Sequence, residues 1–185
     1  MSLLARCGVW WCGVLCCAPL VLLGACSPAY DWRDVRPAGT QLAMQFPCRP
    51  VAQRRAVELA GPAVDLSLLA CTAGGQTWAL AHADLGDPAR VTAALAELRT
   101  STITKLNAQQ TEPAPLALPG ATPNVHSGRL RLQSRAGAAS AGHRPLQMEV
   151  ALFARGTQVF QVSVLGEVLP TETSETFFAS IGFGR

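Results

Sequence analysis

The chain has 185 residues, of which 49% are hydrophobic and 15% charged, a balance typical of one compact globular domain rather than a disordered or fibrous protein. The formal net charge is only +3, with a single lysine and no run of basic residues. Because nucleic-acid phosphates favour clustered Lys and Arg, this charge balance argues against a dedicated DNA- or RNA-binding protein.

The amino terminus predicts an export signal. One positive charge precedes an uncharged, apolar stretch at residues 7–23, as in the n-region and h-region of signal peptides. The stretch closes on Leu23-Gly24-Ala25-Cys26, which resembles the bacterial lipobox: an aliphatic residue, two small residues, and the cysteine that is acylated. Small residues let the peptidase approach the backbone, and only a thiol forms the thioether to diacylglycerol.

The resemblance to bacterial lipoproteins implies a division of the chain. Residues 1–25 are then a cleaved signal peptide, and Cys26 carries fatty acyl chains such as palmitate and becomes the mature amino terminus. Asp after the cysteine tends to retain lipoproteins in the inner membrane, and here the residue is Ser27, which favours the periplasmic face of the outer membrane. Residues 26–39 are predicted to be a tether and residues 40–185 a single α+β domain.

The alternative is an uncleaved amino-terminal helix in the inner membrane. The uncharged stretch is about long enough to cross a hydrocarbon core of about 30 Å. Pro19 and the polar turn at Ser27-Pro28 favour processing instead, because both disfavour a continuous spanning helix.

The tether keeps the domain near the membrane, since an extended chain gains only about 3.3 Å per residue. Trp32 in this tether is expected either to pack partly on the domain or to face the membrane interface, where indole is favourable.

The cysteine count predicts one disulfide. Of seven cysteines, four leave with the signal peptide and Cys26 is acylated, which leaves Cys48 and Cys71. An even remainder in an exported chain indicates a disulfide, worth roughly 3 kcal/mol in the chain-entropy model. Two buried free thiols are the alternative, and the absence of C-x-x-C spacing argues against a redox-active pair.

Hydrophobic periodicity predicts four strands, a helix, three strands and a closing helix. The predicted strands are at residues 41–46, 55–59, 64–70, 76–83, 125–133, 146–155 and 158–165. Asp87 followed by Pro88 predicts the start of the first helix, which extends to about residue 106, and the second covers residues 171–181. Residues 109–123 are predicted to form a loop rich in Pro and Ala. The fold class is therefore α+β, an antiparallel sheet of six to seven strands with two packed helices.

The element order resembles the PsbP-like domains and small bacterial lipoproteins of the DcrB type. Phe46-Pro47 at the first strand and the run from Phe177 to Ile181 carry the resemblance, which spans about residues 40–183. It implies an α/β/α sandwich with a non-catalytic role in assembling or stabilising an envelope complex. It offers no catalytic residues to carry over.

Catalytic and metal-binding patterns are not recognised in the sequence. His82, His126 and His143 lie on different predicted elements without H-x-H or H-E-x-x-H spacing, and G-x-S-x-G is missing. Glu172 and Glu175 are expected to be ordinary acidic residues near a helix start. We therefore predict a protein that is not an enzyme and needs no metal or cofactor.

Three arginines form the candidate interaction surface. Arg129 and Arg131 lie on one face of a strand, with Arg135 at its exit and Arg155 at the end of the next strand. They are expected to form a solvated strand face, and the alternative is that they bind an acidic partner or lipid head group. The favoured function is a non-enzymatic interaction or assembly factor with an envelope protein partner. The alternative is a binding module that holds a small apolar or acidic ligand between the sheet and the loop at residues 109–123.

Overall fold

The computed structural model describes residues 29–110, 116–135 and 145–184. The lipobox at residues 23–26 and His143 lie outside the described residues. The elements, in chain order, are β1 (Arg33–Val35), β2 (Leu42–Phe46), β3 (Val51–Glu58), β4 (Ala63–Ala73), β5 (Gln76–Asp84), a 3-10 turn (Pro88–Arg90), α1 (Val91–Lys105), β6 (Ala108–Gln110), β7 (Gly128–Ser134), β8 (Gln147–Arg155), β9 (Gln158–Gly166), α2 (Thr171–Ala179) and β10 (Gly182–Phe183).

Seven strands form one antiparallel sheet in the order β3-β4-β5-β9-β8-β7-β6, and β1-β2-β10 form a small second sheet. Alternation along β8 assigns the two faces of the large sheet. Val150 and Leu152 belong to the core cluster that holds α1, while Ala151 and Phe153 belong to the cluster that holds α2 and β2. We call these the α1 face and the α2 face. The predicted fold class is confirmed: an α+β chain with a seven-stranded antiparallel sheet between two helices.

The first helix begins near Asp87 and Pro88, as predicted, but a short 3-10 turn precedes α1. Asp87 accepts a hydrogen bond from the backbone N–H of Ala89 at 2.8 Å, as an N-cap does. The guanidinium of Arg90 donates to the carbonyls of Leu59, Ala60, Leu85 and Pro62. Arg90 thereby ties the β3–β4 turn to the beginning of α1.

Three short strands were not predicted. β1 pairs with β2, with Arg33 opposite Phe46, so the segment expected to be a tether contributes a strand to the fold. Trp32 is half-buried against the α2-face cluster, which agrees with the expectation that it packs partly on the domain. β6 occupies the beginning of the expected loop at residues 109–123, and β10 pairs with β2.

The disulfide prediction is confirmed. Cys48 in the β2–β3 loop is bonded to Cys71 on β4, with their Cα atoms 6.0 Å apart. Both side chains pack against the α2-face cluster, so the bond fixes the loop at residues 47–50 to the large sheet.

Candidate functional site

The structure places Arg129 and Arg131 among carboxylates of the same chain. Arg131 lies opposite Glu149 in the β7–β8 register, and the Nε atoms of Arg129 and Arg131 are 2.7 and 3.0 Å from Glu149 Oε1. Arg129 also donates two hydrogen bonds to Glu175 on α2, at 3.0 and 2.9 Å. The four side chains therefore form one ion-pair cluster that joins β7, β8 and α2.

Two of the four side chains in this ion-pair cluster are largely buried, so the cluster contributes to the packing of α2 on the sheet. The side chains of Arg129 and Glu149 are 15% and 4% exposed, and the Arg129 guanidinium lies 4.2 Å from the centre of the Phe178 ring. Hydrogen bonding from Arg129 lowers the pKa of Glu175, and hydrogen bonding to Glu149 raises the pKa of Arg131. Arg129 is thus largely withdrawn from solvent, whereas Arg131 remains 65% exposed at the edge of the cluster.

Arg155 lies apart from the other two arginines. Arg129 is opposite Ala151, and Arg155 is four residues further along β8, about 13 Å at the rise of a strand. Its guanidinium lies 4.7 Å from the centre of the Phe183 ring on β10. The structure brings Arg129 and Arg131 together and leaves Arg155 at a separate position on the α2 face.

The two described histidines also have separate environments. His82 is buried on the α2 face and stacks on Phe160, with ring centres 6.0 Å apart. The backbone N–H of His126 donates to Asn124 Oδ1 in the loop before β7. Among the described residues, no three His, Cys, Asp or Glu side chains are grouped so as to hold a metal ion.

Burial of His82 predicts a pH-dependent stability. Burial and, secondarily, the positive charge of Arg54 lower the pKa of His82 from 6.5, so the folded protein binds a proton there less readily than the unfolded chain. The free energy of unfolding is therefore expected to fall as the pH drops below 6.5, where the unfolded chain gains the proton first. Urea denaturation at a series of pH values measures the slope.

Two histidine variants show whether the pH dependence of stability comes from His82. His82→Gln is expected to flatten the decline just below neutral pH, and His126→Gln, in the loop before β7, is expected to retain it. An equal slope in wild type and His82→Gln would contradict the assignment.

An open groove of about 540 Å³ lies between the carboxyl-terminal half of α1 and the α1 face of the sheet. Its apolar lining is Val57, Leu59, Leu66, Leu68, Ala81, Leu98, Leu106, Leu146, Met148 and Leu165, and its polar lining is Arg55, Glu58, Glu97, Ser101, Thr102, Lys105 and Gln161. This volume is within the roughly 300–1,000 Å³ of small-molecule sites.

The core-facing apolar side chains of α1 are buried in its first turns and only partly buried in its second half, at Leu98, Ile103 and Leu106. Val91, Ala94 and Leu95 in its first turns are buried against the sheet. Further along, the helix presents Ser101, and the strand opposite presents Ala81, and neither side chain is long enough to fill the space. The sequence carries a weak sign of this: the apolar stripe of α1 is interrupted by hydroxyl residues in its second half.

Several polar groups of the groove have partners within the protein. Thr102 donates to the Leu98 carbonyl at 2.8 Å, and Gln161 donates to Thr102 Oγ1 at 3.3 Å. On the rim, the Glu97 carboxylate accepts the backbone N–H of Ala60 at 2.8 Å. The wall that a ligand meets is therefore mostly apolar, with Arg55 and Lys105 exposed at its border.

The groove does not coincide with the ligand site predicted between the sheet and the loop at residues 109–123, because it is bounded by α1 instead. In the described part of that loop, Leu116 and Leu118 pack against the α2-face cluster. The described residues Leu116 and Leu118 thus contribute to the core on the opposite side of the sheet.

No family model matches the chain, and neither a curated protein nor a solved structure shows significant similarity to it. The resemblance to PsbP-like domains stays a prediction from the sequence. Within the part of the chain that the structure describes, no helix has the length and apolar character needed to span a membrane.

Proposed function

We propose that this protein is a lipid-anchored, non-enzymatic binding module of the bacterial cell envelope that holds an apolar acyl chain in the groove beside α1. The groove is the observation that carries this proposal: ten apolar side chains line it, and its volume of about 540 Å³ suits a small apolar ligand. The anchor is acylated Cys26, and Ser27 after it favours the periplasmic face of the outer membrane.

The shape and chemistry of the groove favour a hydrocarbon chain over a polar ligand. The lining runs from Leu59 at the β3–β4 turn to Leu146 and Leu165 at the opposite end of the strands, so the site is elongated. Each methylene removed from water contributes about 0.8 kcal/mol, so an extended chain gains affinity along its length. Catalysis is not part of the proposal.

A photoreactive lipid tests the proposal. The full-length protein is purified from membranes and placed in vesicles that contain a phospholipid with a diazirine in its acyl chain, and cross-linked peptides are mapped by mass spectrometry. Cross-links are expected on the carboxyl-terminal half of α1 and on the β4 residues Leu66 and Leu68, which line the groove.

Two tryptophan variants on the same helix give the control. Ser101→Trp places an indole in the groove and is expected to reduce these cross-links several-fold, while Ala93→Trp, at an exposed position outside the groove, is expected to leave them unchanged. Circular dichroism confirms that both variants fold. Cross-links that are absent from the groove, or that Ser101→Trp does not reduce, would overturn the proposal.

A protein partner is the second candidate. Its support is β3, an edge strand of eight residues of which seven are exposed, with Arg54 and Arg55 on opposite faces. An edge strand offers free backbone groups to an added strand, and the arginines suit an acidic one. Failure of lipid cross-linking in the groove would favour this interaction role.

A further inference from the structure

The amino-terminal segment enters the fold at one particular end of the large sheet. Tyr30 lies against the β4–β5 turn, where its hydroxyl donates to Gln76 Oε1 at 3.3 Å and its ring meets Trp78 edge-on at 6.3 Å. Any side chain at Gly74 would clash with the Tyr30 ring. The backbone N–H of Asp31 donates to the Pro47 carbonyl at 2.8 Å. The point of entry is therefore fixed by contacts.

Strand register shows which other segments share this end. Ala73 is opposite Gln76 at the β4–β5 turn, and β9 leaves the sheet at Gly166, which is opposite Gln147 at the beginning of β8. The β2–β3 loop, which supplies Pro47, also lies here. We call this the entry end. Its segments are residues 29–31, 47–51, 74–75, 145–146 and 166–169.

Exposed apolar side chains concentrate at the entry end. Among the described residues, four large hydrophobic side chains are exposed, and three of them belong to its segments: Val51 at 66%, Leu146 at 38% and Val168 at 54%. Val168 is held beside the entry point, because its carbonyl accepts a hydrogen bond from Gln76 Nε2 at 3.0 Å. The fourth, Val125, precedes β7 at the opposite end.

Charged residues at the entry end include two exposed arginines. Arg49 lies in the β2–β3 loop, and Arg135 follows Ser134, whose backbone N–H donates to the carbonyl of Leu146 at the entry end; both arginines are exposed. Glu167 is the exposed acid among these segments, and Asp31 is paired with Arg33. Exposed apolar side chains are stabilised in the interfacial region of a bilayer, and arginines beside them are attracted to anionic head groups.

We propose that the entry end is a membrane-docking surface, with a phospholipid bilayer as its partner. This inference rests on the proposed acylation of Cys26. Only three residue steps separate Cys26 from Ala29, at most about 11 Å of extended chain, so an acylated cysteine holds this end of the domain against the bilayer. Val51, Leu146 and Val168 then enter the interface, and the opposite end points into the periplasm.

The docking surface also gives the groove a route to lipid. Leu146 and Leu165 line the groove, and Leu146 belongs to the entry end while Leu165 is the residue before Gly166. With the entry end on the bilayer, an acyl chain passes from the membrane into the groove without crossing bulk water. The anchor and the groove thereby serve a single purpose, the capture of lipid at a surface.

Site-specific fluorescence tests the orientation. With Cys26 acylated and Cys48 bonded to Cys71, a cysteine introduced into the mature chain is its one free thiol. Val168→Cys, Leu146→Cys and Val125→Cys are each labelled with the fluorophore NBD on the mature, acylated protein in vesicles of phosphatidylethanolamine and phosphatidylglycerol. Spin-labelled phospholipids are expected to quench the first two several-fold more than the third.

The controls separate this proposal from the anchor on which it rests. Mass spectrometry of the mature protein determines whether Cys26 is acylated, and a chain without acyl groups would overturn the proposed anchor. Equal quenching at Val168 and Val125 on an acylated protein would overturn the docking surface alone. Val51→Asp, exposed and on an edge strand, is expected to lower the quenching at Val168 without releasing the protein from vesicles.

Discussion

Glu149→Gln is expected to lower the free energy of unfolding by about 3 kcal/mol, the lower end of the range for breaking a buried ion pair. The Glu149 side chain is 4% exposed and lies within 3.0 Å of both Arg129 and Arg131. The amide keeps the shape of the carboxylate but removes its charge, so the largely buried Arg129 guanidinium keeps only Glu175, which is half exposed. Urea denaturation of wild type and variant measures the difference.

Glu172→Gln is the matched control for this substitution. Glu172 is an exposed carboxylate on the neighbouring helix, and ion pairs at exposed positions are worth about 0–1 kcal/mol. Its replacement is expected to change stability little. A loss below about 1 kcal/mol for Glu149→Gln would mean that water reaches the cluster and compensates Arg129, contrary to the burial described here.

The ion pairs with Glu149 and Glu175 are the part of this site that the sequence did not predict. Alternation along β7 correctly placed Arg129 and Arg131 on one face of a strand. The residues that lie opposite the two arginines depend on the pairing of β7 with β8, which places Glu149 beside both guanidiniums. The Glu149 carboxylate is buried there because two guanidiniums neutralise its charge. The sequence around Glu149 alone does not predict this pairing.

The longer helices and strands were predictable because each contains enough residues to show the hydrophobic periodicity of its type. Three strands escaped prediction because β1, β6 and β10 have only two or three residues each. β10 forms because Gly182 pairs with Ala43, so this strand depends on a contact between residues that are far apart in the sequence. β3 was expected to begin at residue 55 but begins at Val51, because β4 pairs with it along its whole length.

The groove could not be predicted from the sequence either, because it too depends on contacts between distant segments. Its walls belong to α1 and to five strands of the large sheet, which meet only when the sheet is assembled. The Pro-rich composition of residues 109–123 drew the ligand hypothesis to the loop. Cysteine counting succeeded because it needs no geometry: an exported chain with two remaining cysteines favours their pairing.

Removal of the disulfide is the other change with a large expected effect. The double variant Cys48→Ala/Cys71→Ala is expected to lose about 3 kcal/mol of unfolding free energy, because the bond closes a loop of 23 residues in the unfolded chain. Urea denaturation without reductant measures the loss. Wild type under reducing conditions is expected to approach the variant, and a variant as stable as the oxidised wild type would contradict this role of the bond.

Removal of the disulfide is expected to reduce local stability most at the entry end. Cys48 holds the loop whose Pro47 carbonyl accepts the Asp31 N–H, and this contact helps to fix the segment that follows the proposed anchor. Hydrogen exchange at the Asp31 amide should therefore accelerate in the double variant more than exchange at the Thr122 amide, which donates to the Ala154 carbonyl at the opposite end of the large sheet. Uniform acceleration would show that the bond stabilises the fold as a whole, whereas a local response would link oxidation of the cysteine pair to the orientation of the domain on its membrane.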